Sequence, residues 1–359
     1  MAKLYGRDVS RRELLRRVGD VGQVAGVRRC VLSEGRWQGV EAVDVYTGTG
    51  FSFTVLPSRA LDISAAWYKG MALAWRSPTG DVHPAYYEPE GLGWLRSFFG
   101  GLVATCGLAN AGAPCVDQGQ SLGLHGRIGN TPAYAVLADG EWQGDEYAMA
   151  VRGKVRQSAV FGEDLLLTRC ISAKLGESRL VIDDVVENLA WEPSPLQLLY
   201  HCNLGYPLVD EGSRMLLSTA GAVPRDAEAE QGKEAYAACQ APAAGYKEKV
   251  YYHDLSPSSD GNVTVALVND RLGLGVYIRY RKDELPRFTE WKMMGEGTYV
   301  VGLEPANCQV EGRNKDRERG ILQFIQPGEV RRFRLEIGVL DGKDEIRAVE
   351  QEVEFAKRP

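Results

Sequence analysis

The chain has 359 residues, 44% hydrophobic and 25% charged, an ordinary balance for a globular protein. Its net charge of −6 argues against nucleic acid or an anionic membrane as the main partner. Seven scattered cysteines without C-x-x-C spacing argue against a disulfide framework or a zinc site and predict reduced thiols.

The N-terminal stretch MAKLYGRDVSRRELLRR carries charges where a signal peptide needs an apolar run. No stretch approaches the ~18 apolar residues of a membrane span, so a cytoplasmic chain is expected. Ser10 and Glu13 have capping-box spacing, and a short helix is predicted over 10–18, ended by Gly19. From Val27 the hydrophobic period changes to two. Residues 40–46 and 51–55 alternate as half-buried strands about the Gly48–Gly50 turn. Arg59 and Asp62 interrupt the next apolar segment. They read either as a salt-bridged pair at a strand end or as an arginine aimed into a site.

Residues 76–98 have no clear period but carry three prolines and a run of aromatics. A long ordered loop is predicted, its rings serving either as core or as stacking platforms for a sugar. The small-residue segment 98–112 reads as a tight strand pair or a pocket floor. His125 follows, bracketed by Gly123 and Gly126 with Arg127 beyond, in a turn that is either structural or open to a ligand. Meander-like antiparallel strands are predicted over 141–186. Residues 220–248, rich in Ala, Glu, Gln and Lys, read as a polar, solvated insertion without chemistry. Further strands follow, then a final strand over 330–339 and a small helix carrying Ile346, Val349 and Val353.

Two stretches concentrate the chemistry. In LQLLYHCNLGYP, His201 sits inside a run typical of a strand buried on both sides. A buried imidazole needs a partner or a task, so it is either a satisfied core histidine or a functional one. In TYVVGLEPANC, Glu304 ends an apolar strand, where desolvation raises a carboxylate's pKa toward that of a general base. The alternative is a salt bridge, with Arg313 as the candidate partner. His83 and His253 are left without a role. No phosphate loop, G-x-G-x-x-G or G-x-S-x-G is present. The residues thus predict one large, mostly antiparallel β domain with Arg59, His125, His201 and Glu304 as dispersed polar points.

The order R…HG…YHCN-GYP…LEPAN resembles the aldose 1-epimerase (galactose mutarotase-like) superfamily. The LHGR, TCGL, YHxNxGYP and EPAN segments resemble its poorly characterised bacterial branch, over about residues 40–340. The resemblance implies an all-β supersandwich of large antiparallel sheets in one domain over 1–359, with minor helices at the termini (a helical segment within 1–26). It implies a small-molecule sugar as partner and no cofactor or metal; a homodimer stays open. His201 would be the general acid and Glu304 the general base. Arg59 and His125 would bind sugar hydroxyls, with Arg127 and Asp254 as further substrate-binding candidates. Two departures stand out. His125 is followed by Gly-Arg where the typical enzymes have Gly-Gly, and the aspartate that grips a hydroxyl pair has only Asp254 as a match. The implied reaction is mutarotation: removal of the anomeric hydroxyl proton, protonation of the ring oxygen, opening, rotation and reclosure. The competing readings are another sugar isomerase, epimerase or lyase on this scaffold, or a carbohydrate-binding protein without turnover.

Overall fold

Three antiparallel sheets dominate the computed structural model, which describes residues 1–357. The eight-stranded sheet begins with the meander Tyr134–Gln143, Glu146–Ser158, Asp164–Lys174 and Arg179–Asn188. It continues through Val330–Asp341, Leu274–Arg281, Asn262–Asn269 and Arg214–Leu216. In the seven-stranded sheet Ser194–Gly205 is flanked on one side by Thr298–Ala306, then Arg287–Gly295, Lys249–His253 and Val223–Pro224. Ala104–Leu108 and Gln323–Ile325 pair with the other side of Ser194–Gly205. A five-stranded sheet spans Gly26–Val31 to Met71–Ala72. This is the large, mostly antiparallel β architecture that the alternating sequence predicts, and it agrees with the supersandwich that the resemblance implies.

The core follows from the strand period of two. One continuous apolar cluster takes Val43 and Phe53 from the five-stranded sheet, Val151, Leu167 and Ile182 from the eight-stranded sheet, and Leu198, Tyr200 and Cys202 from the seven-stranded sheet. A polar bolt runs through it. The fully buried Arg169 reaches Asp184 at 2.7 Å on its own sheet and Asp62 at 3.0 Å on the five-stranded sheet. Tyr200, from the seven-stranded sheet, donates its hydroxyl to Asp184 at 2.7 Å.

The opposite face of the seven-stranded sheet carries Leu199 and Ala306, and the 92–99 stretch covers it with Trp94, Phe98 and Phe99. His201 and Glu304 share the parity of Leu199 and Ala306, so they point to this side. Register aligns them further. Glu304 is the cross-strand partner of Thr289. The pairing of Cys202 with Leu303 and of Leu199 with Ala306 sets His201 opposite Glu304 on its other side. Three adjacent strands therefore place His201, Glu304 and Thr289 in one row, within the ~5 Å of cross-strand neighbours.

Helix is minor. Arg11–Leu15 forms with a complete Ser10–Glu13 capping box, and Lys343–Ala356 buries Ile346, Val349 and Val353. No helix among the described residues is long and apolar enough to cross a membrane.

Candidate active site

The row of His201, Glu304 and Thr289 forms the floor of a cavity of about 460 Å³, within the ~300–1,000 Å³ range of small-molecule sites. Its wall is aromatic. Trp94 and Phe98 stack at 4.4 Å between ring centroids. Trp94 lies 4.6 Å from the His125 ring, and Phe98 and Trp291 lie 5.2 and 5.3 Å from that of His201. The 76–98 segment is thus irregular, as expected, and its Trp94–Phe98 end makes the wall. Its tyrosines do not: Tyr87 donates to the Gly126 carbonyl at 2.8 Å and Tyr86 is exposed.

His201 Nε2 and Glu304 Oε1 are 3.2 Å apart, with both side chains almost wholly buried. Burial, reinforced by the Glu248 carboxylate and opposed by Arg225, holds the Glu304 carboxyl well above the usual range. Burial, with the neighbouring His125 imidazole, holds His201 well below its ordinary value. Burial alone lowers His125 to about 4, so that ring is neutral near pH 7. Gly302 leaves room for the carboxylate, since a Cβ there would stand 2.6 Å from Glu304 Oε1.

Buried polar atoms are normally paired. Here His125 Nδ1, His201 Nδ1, Thr289 Oγ1 and Glu304 Oε1 are buried without hydrogen-bond partners among the described residues, and all four residues line this one cavity. The cavity is thus bordered by unused hydrogen-bonding capacity from four residues. Among the described residues, no three His, Cys, Asp or Glu side chains gather as metal ligands would.

Three of the six residues singled out from sequence lie elsewhere. Arg59 is buried behind the wall, neither paired with Asp62 nor facing the cavity. It donates to the carbonyls of Gly129, Val82 and Ser97 at 2.7, 2.9 and 3.0 Å and lies 5.1 Å from the Phe99 ring. It clamps the wall loop to the 127–130 turn, while Asp62 pairs with Arg169 instead. Asp254 points into solvent, 97% exposed, and pairs with Lys282 at 2.7 Å. It lies just past the end of the strand Lys249–His253, whereas His253 is buried against Glu290 at 2.9 Å. Arg127 is exposed and outside the cavity. The Gly-Arg departure thus falls at an exposed position, whereas Gly126 before it is cramped: a Cβ there would meet the Asn110 carbonyl at 2.3 Å. His83 caps the Pro84–Tyr86 turn, its Nδ1 accepting from Ala85 N at 3.1 Å. Glu304 is not bridged to Arg313, which pairs with Asp117 at 2.7 Å.

The polar segment 220–248 is not chemically idle. Val223–Pro224 adds a strand to the sheet, and Lys292 donates its ammonium to the Ala235 carbonyl at 2.6 Å, pinning the segment down. Its two ends bring Arg225 and Glu248 to the cavity, 3.0 Å apart, with Glu248 also accepting from Trp291 Nε1 at 2.9 Å. Sequence reading missed these two, together with Thr289 and Trp291. For the last pair a signal existed: FTEWK alternates beside the Glu304 strand.

Solved structures with this fold include a proposed aldose 1-epimerase from Klebsiella pneumoniae, 27% identical, with a TM-score of 0.88 over 92% of this chain and 87% of that one. A galactose mutarotase-like protein from Clostridium acetobutylicum is 12% identical, with a TM-score of 0.61 over 89% and 99% of the two chains. A galactose 1-epimerase from Lactobacillus acidophilus is 10% identical, with a TM-score of 0.54 over 89% and 100%. No curated protein matches the sequence. Residues 37–339 match the model of a family described as a domain of unknown function, DUF4432, and the chain belongs to that family.

Proposed function

We propose that the chain is a carbohydrate-active isomerase of the aldose 1-epimerase type, with Glu304 and His201 as its proton-transfer pair. The observation that carries this reading is the row of unpartnered His201, Glu304 and Thr289 atoms beside His125 under an aromatic wall. A flat apolar surface suits the C–H faces of a sugar ring, and unpaired donors and acceptors suit its hydroxyls. The names given to the structural neighbours point the same way.

In the proposed reaction the one proton of the pair passes from Glu304 to His201 across their 3.2 Å contact; the Glu304 carboxylate then takes the anomeric hydroxyl proton while the His201 imidazolium gives one to the ring oxygen. The bond from the anomeric carbon to the ring oxygen breaks, leaving an open aldehyde. Rotation about the adjacent carbon–carbon bond and the reverse proton transfers close the other anomer. Both groups stand close enough to serve one sugar, each worth on the order of 10²–10⁴-fold. Glu248 and Arg225, not Asp254 or Arg59, are the charged groups beside that sugar. Because Arg225 is shared between Glu248 at 3.0 Å and Asp226 at 2.8 Å, it leaves no spare positive charge for an anionic sugar, and a neutral aldose fits better. NMR anomer-exchange spectroscopy over a panel of neutral aldoses tests the reading. Catalysed exchange on at least one is expected. Saturable binding of an aldose without exchange would leave a carbohydrate-binding protein.

A further inference from the structure

The cavity floor holds one polar residue to which the proton transfers give no task. Thr289 stands beside Glu304, on the side away from His201. It is 1% exposed, and its hydroxyl has no hydrogen-bond partner among the described residues, although the residue lines the cavity. A buried hydroxyl left unpaired is a cost. Valine would fill the same space on a strand without that cost. The adjacent polar groups are committed elsewhere. Tyr252, next in the row beyond Thr289, donates its hydroxyl to Glu311 at 3.2 Å, and Trp291 donates Nε1 to Glu248 at 2.9 Å.

The order of the row gives this hydroxyl an address. Neighbouring strands lie about 4.8 Å apart. The backbones of His201 and Thr289 therefore stand roughly 10 Å apart with Glu304 midway. In the proposed reaction Glu304 works on the anomeric hydroxyl and His201 on the ring oxygen. The anomeric carbon has two neighbours in the ring. With the ring oxygen turned to His201, the other neighbour, the second carbon, is turned to Thr289. The span holds a hydrogen bond of about 2.8 Å at each end, with the ring oxygen, the two carbons and the second carbon's hydroxyl between them.

We propose that Thr289 reads the hydroxyl on the carbon next to the anomeric centre and makes the site specific for 2-hydroxy aldoses over 2-deoxy ones. The assignment rests on the acid–base reading of Glu304 and His201. A 2-deoxy sugar leaves the Thr289 hydroxyl buried and unpaired, and a site built to bond a hydroxyl rejects the analogue that lacks it.

Anomer exchange by NMR and binding by titration calorimetry test it on D-glucose, D-galactose and D-ribose, each beside its 2-deoxy form. The native chain is expected to favour the 2-hydroxy member of its best pair by roughly 10-fold or more. Thr289→Val keeps the shape and removes the hydroxyl, so that ratio should fall close to unity, whereas Thr289→Ser should retain it. The ratio between D-galactose and its 6-deoxy form should not move in either variant. The melting temperature of Thr289→Val should not fall, because the free protein loses no hydrogen bond. A native chain that ignores the 2-hydroxyl in every pair, or takes none of the sugars, overturns the assignment. So does a Thr289→Val variant that loses all sugars equally or keeps the native preference. Discrimination in binding without any exchange would sink the acid–base reading and leave this assignment standing; exchange without discrimination would do the reverse.

Discussion

Glu304 and His201 face each other at 3.2 Å in a site where burial disfavours the charged form of each. Groups so close titrate as a unit, and in the proposed reaction the working form is the pair holding one proton. The dependence of kcat/KM on pH should therefore be a bell. On the acid side the rate falls as the pair takes up a second proton; on the alkaline side it falls as the pair loses its last. A rate flat across the carboxylate and imidazole ranges would exclude proton transfer by this pair. His125, His201 and Glu304 were legible because each stands in a distinctive local context: glycines on both sides, a long apolar run, a strand ended by Pro-Ala-Asn. Arg59 and Asp254 were misplaced because sequence shows that a charge exists but not which way its side chain points. The three carbonyls that hold Arg59 come from positions 82, 97 and 129, which no local pattern links to it.

At the scale of elements, strand alternation was readable and strand register was not. Parity put His201 and Glu304 on definite faces of their own strands, yet only the pairing across 298–306 brings them to one row with Thr289. The 220–248 segment shows a different limit. Its composition is that of a solvated excursion, and most of it is one, but its ends carry Arg225 and Glu248 into the site. Glu248 raises the Glu304 pKa, so removing its charge lowers that pKa. Glu248→Gln should thus move the whole kcat/KM bell to lower pH. It should also weaken sugar binding by up to about 10-fold, one hydrogen-bonding site's worth. An unmoved bell would show that Glu248 only braces Trp291.

At the scale of the molecule, the all-β architecture follows from repeated period-two segments, while the order of strands depends on pairings between distant stretches that local sequence does not encode. Arg169 shows how the sheets are locked. It is a charged residue in an alternating strand, unremarkable in sequence, yet it lies fully buried between Asp62 and Asp184. Arg169→Met would leave two buried carboxylates uncompensated and should cost about 3–5 kcal/mol. Urea unfolding should show this as a lower midpoint at unchanged slope. A loss below about 1 kcal/mol, the scale of a surface pair, would contradict a bolt through all three sheets.

The central claim is that the row of polar groups on the seven-stranded sheet moves a proton on a sugar. The most direct measurement is the anomer-exchange rate of native protein against Glu304→Gln on the best aldose found. Glutamine keeps the shape and hydrogen-bonding capacity of the side chain but not its basicity. The expected result is a fall in kcat of roughly 10²-fold or more with KM nearly unchanged, since an interaction made only in the transition state is lost. Full exchange by Glu304→Gln would contradict the claim and leave Glu304 a structural residue.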